Sequence, residues 1–115
     1  MRTYYETIHE AKINGFDVIA SIAPETDFSP SDLFDESVDD IDEINKKIND
    51  GIYQWFLLRV QVMKSGKELG ACTIGGLLYE DPMEVMIDGV YADCMAEALS
   101  EALKFVKVIK EEIPF

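Results

Sequence analysis

Histidine is almost missing from these 115 residues: His9 stands alone, and the two cysteines, Cys72 and Cys94, lie far apart and outside any C-x-x-C. Common hydrolases and transferases need a base near neutral pKa beside a nucleophile, and neither His9 nor the thiols bring such a partner in sequence. His9 is expected to be an ordinary surface residue. A structural zinc site needs clustered thiols and imidazoles, so no metal, cofactor or catalytic group is expected. The cysteines read as small core residues in a reducing compartment. Long apolar runs are also absent: none approaches the roughly 18 residues a membrane helix requires. The start Met1-Arg2-Thr3-Tyr4-Tyr5-Glu6 lacks the basic-then-apolar order of a signal peptide, so the cytoplasm is the expected location. Gly70, Gly75 and Gly76 fit neither the phosphate loop nor the dinucleotide fingerprint and read as strand irregularities.

Bases are scarce too. Ten Lys and Arg face 23 Asp and Glu, giving a formal charge of −13. The deficit is concentrated: Glu25 to Glu43 holds nine acids and no base, and Glu80 to Glu101 holds seven acids and no base. Such a field repels nucleic acid and anionic membranes, so neither is expected as a direct partner. A basic protein surface is the partner it favours. The candidate partner-binding residues are Glu25, Asp27, Asp32, Asp35, Glu36, Asp39, Asp40, Asp42 and Glu43. Part of this charge is compensated by the acid-first i,i+4 pairs Asp42–Lys46 and Glu43–Lys47, and a charge run is usually a solvated face. The stretch Glu25 to Asp40 has no such compensation, and its self-repulsion gives a binding role something to explain. Asp39, Asp40, Asp42 and Glu43 resemble a calcium cluster in composition only, since the EF-hand order with its central glycine is missing.

What is plentiful is apolar surface. With 48% hydrophobic residues, six Phe, five Tyr and one Trp, residues 1–115 can form one domain without disulfide or metal. Thr3 and Glu6 form a capping box ahead of Tyr4, Ile8 and Ala11, which predicts a helix over 4–13 stopped at Asn14-Gly15. The competing reading makes Asn14-Gly15 a type I′ hairpin turn after a strand. Poor alternation over 3–13 favours the helix. Phe16, Val18, Ala20 and Ile22 predict a strand, Ser29-Pro30 a short helical turn through Phe34, and Ser37 the cap of a helix over 38–50 with Val38, Ile41, Ile44 and Ile48 buried. Residues 53–64 and 67–79 read as a hairpin about Lys64-Ser65-Gly66-Lys67, with a bulge at Gly75-Gly76. Asp81-Pro82 opens a short turn, and 90–112 reads as a helix burying Met95, Leu99, Ala102, Val106, Ile109 and Ile113. The expected class is α+β, with an antiparallel three-stranded sheet, helices mainly on one face and the order α-β-α-β-β-α. The order ββαββα is the alternative.

Tyr53, Trp55 and Tyr79 could make an aromatic contact surface, but strand positions beside a hairpin favour a core role. The last helix could likewise be a dimer seam, with packing on the sheet favoured. Trp55-Phe56 with Arg59-Val60, Glu68-Leu69-Gly70, Gly75-Gly76 and Tyr79-Glu80 resembles a pattern of small uncharacterised phage and plasmid proteins, over about a third of the chain. In size and acidity the chain is also similar to phage anti-defence proteins, the anti-CRISPR and anti-restriction DNA mimics. The resemblance implies an acidic, non-enzymatic module that acts in a bacterial host cytoplasm by occupying a basic, nucleic-acid-binding type of site. The alternative is a small structural or accessory homo-oligomer whose acidity only confers solubility; a homodimer fits either.

Overall fold

The computed structural model describes residues 4–35, 37 and 40–112, the last four by backbone alone. The order is β1 (Glu6–Ile13), β2 (Phe16–Pro24), α1 (Pro30–Leu33), α2 (Ile41–Asn49), β3 (Gln54–Lys64), β4 (Lys67–Tyr79), a 3-10 turn (Pro82–Met86) and α3 (Val90–Glu112). The four strands lie in chain order in one antiparallel sheet. This is the ββαββα arrangement, and the expected first helix is a fourth strand.

The reason lies in one turn and one bulge. Asn14 and Gly15 both adopt positive φ, 54° and 83°, the geometry of a type I′ turn, whose twist matches that of the strands it joins. Beyond it β1 pairs with β2, Ile13 opposite Phe16 and Ala11 opposite Val18, until the register shifts between Thr7 and His9. That bulge adds a residue, so half-buried Ile8 stands three positions from half-buried Ala11 instead of two. Its spacing imitates a helix and spoils the alternation.

The β3–β4 hairpin forms as expected, with Lys64 opposite Lys67. Opposite Leu57, two residues of β4 stand between the pairs Leu58–Ile74 and Phe56–Leu77, so Gly75 and Gly76 do form a bulge. Gly76 has φ +67°, and a Cβ there would run into the Leu33 side chain. α2 starts later than expected because Asp40, not Ser37, caps it: the Asp40 carboxylate accepts the Glu43 N–H at 3.0 Å. Ser37 instead donates its N–H and hydroxyl to Asp35 at 2.9 and 2.7 Å. Val38, Glu36, Asp39 and Ile113 lie outside the described residues.

One face of the sheet holds the core: Val18, Ala20, Phe56, Leu58, Val60 and Val62 are buried beneath α3 and Val85 of the 3-10 turn. The buried seam of α3 runs Tyr91, Cys94, Ala98, Ala102. Met95, Leu99 and Val106, expected at its centre, are half-buried at its margin. The side chain of Ile109 is not described. The seam is rotated toward small residues because α3 lies close on β4, where a Cβ on Gly70 would meet the Ala102 nitrogen at 2.8 Å. Both thiols sit in this interface, Cys94 donating to the Cys72 carbonyl at 3.2 Å. The helices are not gathered on one face. α1 lies on the other, where Phe34 just beyond it tilts against Trp55 at 5.9 Å, and α2 packs against α1.

Candidate functional site

The acidic segments are far apart in sequence but leave the sheet at one end. β2 ends at Pro24, opposite Phe56 near the start of β3, and Gln54 pairs with Tyr79, where β4 ends. Segment 25–43 therefore starts on one side of this end, against the face carrying Trp55, and the segment from Glu80 starts beside it and turns onto the α3 face. The other end carries the turns Asn14-Gly15 and Ser65-Gly66 with Lys12, Lys64 and Lys67 nearby. α3 runs toward that basic end, bringing Lys104 and Lys107. The fold is thus electrostatically polar. Antiparallel pairing creates the acidic pole, a property no single segment shows.

The nine candidate acids divide by role. Glu25 is only 9% exposed, and its carboxylate accepts the backbone N–H groups of Gly76 (2.8 Å), Asp27 (3.0 Å) and Phe28 (3.3 Å). It pins the start of the acidic loop to the β4 bulge, and the indole N–H of Trp55 secures the loop further by donating to the Phe28 carbonyl at 2.9 Å. Asp32 accepts the Ser29 N–H at 2.8 Å and the Ser29 hydroxyl at 3.0 Å, closing the capping box of α1. These bonds to the ionised form hold its carboxyl below the usual range. Ser37 does the same for Asp35. Asp40 caps α2, and Glu43 pairs with Lys47 at 3.3 Å, which raises the lysine. Asp27, Asp32, Asp35, Asp40, Asp42 and Glu43 are all exposed. Glu36 and Asp39 lie outside the described residues.

The second half of the pole comes from residues outside the nine candidates. Glu80, Asp81, Glu84 and Asp88 are exposed around the 3-10 turn. Asp81 caps that turn through the Met83 N–H at 3.0 Å. Asp88 accepts the Val90 N–H at 3.1 Å at the start of α3, and also the Tyr79 hydroxyl. That hydrogen bond, with burial, pushes the Tyr79 phenol up to about 12. The signal for this half was the second base-free run itself; its position had to await strand pairing.

The residues weighed for chemistry have other surroundings. His9 is an exposed strand residue with its ring edge-on to Tyr91 at 5.6 Å. Burial pushes both thiols above their ordinary value, and the Cys72 thiol is raised further by donating to Glu97 at 3.3 Å. High thiol pKa disfavours the reactive thiolate. Among the described residues no group of three His, Cys, Asp or Glu is placed to hold a metal ion, and no helix is long and apolar enough to cross a membrane. On the face away from α3, the guanidinium carbon of Arg59 stacks 3.5 Å from the centre of the Tyr5 ring. Neither a protein-family model, nor a curated protein, nor a solved structure matches the chain.

Proposed function

We propose that the protein is a non-catalytic acidic binding module whose acidic pole occupies a basic site on a partner protein, of the kind that otherwise holds nucleic acid. The observation that carries this reading is the meeting of the first base-free segment and the start of the second, Glu80 to Asp88, at one end of the sheet. The pole is also held in shape: Glu25, Asp32, Asp40 and Asp81 each fix local backbone. A fixed array of carboxylates loses less entropy on binding than a mobile tail of the same charge. Lys12, Lys64 and Lys67 lie at the other end, and of the α2 lysines beside the first segment Lys47 is paired with Glu43, so acids still outnumber bases at the pole. A phage- or plasmid-borne inhibitor of a bacterial defence system is the form of this reading that the resemblance in size and acidity suggests.

The experiment is capture from bacterial lysate on the immobilised chain at low and high salt, followed by competition with duplex DNA for the captured protein. Contact through charge predicts release on raising the salt and displacement by DNA. Capture indifferent to both would remove the basis for the proposal.

A further inference from the structure

α3 outruns the sheet beneath it. Ala98 and Ala102 rest on Gly70, and β4 extends only from Gly70 back to Lys67 before its turn. The helix continues to Glu112, about 15 Å beyond Ala102 at about 1.5 Å per residue. Leu103, Phe105 and Val108 accordingly remain 48%, 47% and 48% exposed.

A second apolar line runs along the flank of this helix. Ala92, Ala96, Leu99, Leu103 and Val106 recur at alternating spacings of four and three, the heptad pattern of a helix seam. At 3.6 residues per turn this line lies about 120° around from the buried Cys94–Ala98–Ala102 seam. Ala92, Ala96 and Leu103 are exposed, and Leu99 and Val106 half-buried. A shallow groove of about 430 Å³ follows it, between α3 and Asn14 at the β1–β2 turn.

We infer that this flank is the seam of a two-fold homodimer in which α3 pairs antiparallel with α3 of a second copy. Turned about an axis near Leu99 and Ser100, the line meets itself small against large, Ala96 against Leu103 and Ala92 against Val106. Asp93 and Lys107 stand seven residues either side of Ser100 on one edge of the line. Antiparallel pairing brings Asp93 of each copy to Lys107 of the other, whereas parallel pairing sets acid on acid and base on base. The ion pair found among the described residues, Glu43–Lys47, lies on another element. The same arrangement sends the two acidic poles to opposite ends of the dimer, the placement that two chains of −13 require. A two-fold axis makes the contact closed, so it stops at two copies.

Sedimentation velocity and light scattering should give twice the 13.0 kDa of one chain. Leu103→Glu should weaken association by about tenfold or more, and because Leu103 is exposed in the single chain, the circular dichroism spectrum should not change. Ser100→Cys, next to the axis, should form an inter-chain disulfide under mild oxidation, while Glu10→Cys on β1 should not. Asp93→Lys and Lys107→Asp should each weaken the dimer and together restore it. A monomer at about 100 µM, a concentration at which a micromolar dimer is largely assembled, would overturn the inference. So would a dimer that Leu103→Glu leaves intact, or singles that weaken without recovery in the double variant, since the pairing is then not this one.

Discussion

At the scale of single residues, carboxylates of one segment do different work. Glu25 looks in sequence like the first of nine equivalent acids, yet among those described it is the one turned inward, accepting three backbone N–H groups from two parts of the chain. Glu25→Ala should cost about 2–3 kcal/mol in urea unfolding, because donors left unsatisfied in a buried place carry the desolvation penalty. Asp27→Asn, at an exposed position, should stay within about 0.5 kcal/mol of the parent. Equal effects would show that the loop is not pinned as described. Tyr79 gives a second residue-scale expectation. Its folded pKa is raised to about 12 by the bond to Asp88 and by burial, so its contribution to stability is complete below about pH 10, the unfolded tyrosine value. It is then lost as pH rises toward 12. Tyr79→Phe should be less stable at neutral pH and lose less stability over that alkaline window, Tyr91 retaining part of the slope because burial raises it too.

At the scale of elements, the close approach of α3 to β4 depends on Gly70. A Cβ there collides with the Ala98 carbonyl and the Ala102 nitrogen, both helix backbone that cannot rotate away. Gly70→Ala should therefore cost about 1–3 kcal/mol by overpacking, read in thermal or urea unfolding. The elements themselves were legible to the degree that their patterns were unbroken. Phe56 to Val62 alternates cleanly and is strand as that pattern predicts, and the long period of α3 marks its limits from Val90 to Glu112. β1 resembles a helix in sequence because a bulge at Ile8 shifts its alternation, and because Asn14-Gly15 ends a helix as readily as it turns a hairpin. The α3 stripe expected from sequence is off-centre, with Ala102 on the buried seam and Met95, Leu99 and Val106 packed at its margin, because periodicity marks where large residues lie. It does not mark how closely a helix can approach a glycine, and here small residues face the sheet. The wider apolar arc on α3, with exposed Leu103 beyond half-buried Leu99, is the signature of that offset.

At the scale of the whole molecule the decisive quantity is where charge sits, and this is where sequence is least informative: it marks two acidic runs without showing that strand pairing puts the first of them and the start of the second at one end. That geometry allows a test the linear reading could not supply. Replacing Asp27, Asp32, Asp35 and Asp42 by Asn in the first run should leave the fold intact, since these side chains are exposed and Asn preserves a hydrogen-bond acceptor where Asp32 closes its box. Replacing Glu80 and Glu84 by Gln alters only the second run, more than 35 residues away in sequence. If the pole acts as one field, each set should slow association with the captured partner and flatten its salt dependence, and the two together should lower the on-rate by about 10-fold or more, within the range of electrostatic steering. Dissociation should change less, because steering acts mainly before contact. Neutralising Asp17 and Glu68, which lie toward the basic end, should leave the on-rate unaffected. Surface plasmon resonance at several ionic strengths separates the cases. Should only the first run matter, the site is a loop rather than a pole; should Asp17 and Glu68 matter equally, net charge alone governs the encounter and the polarity of the fold has no part in binding.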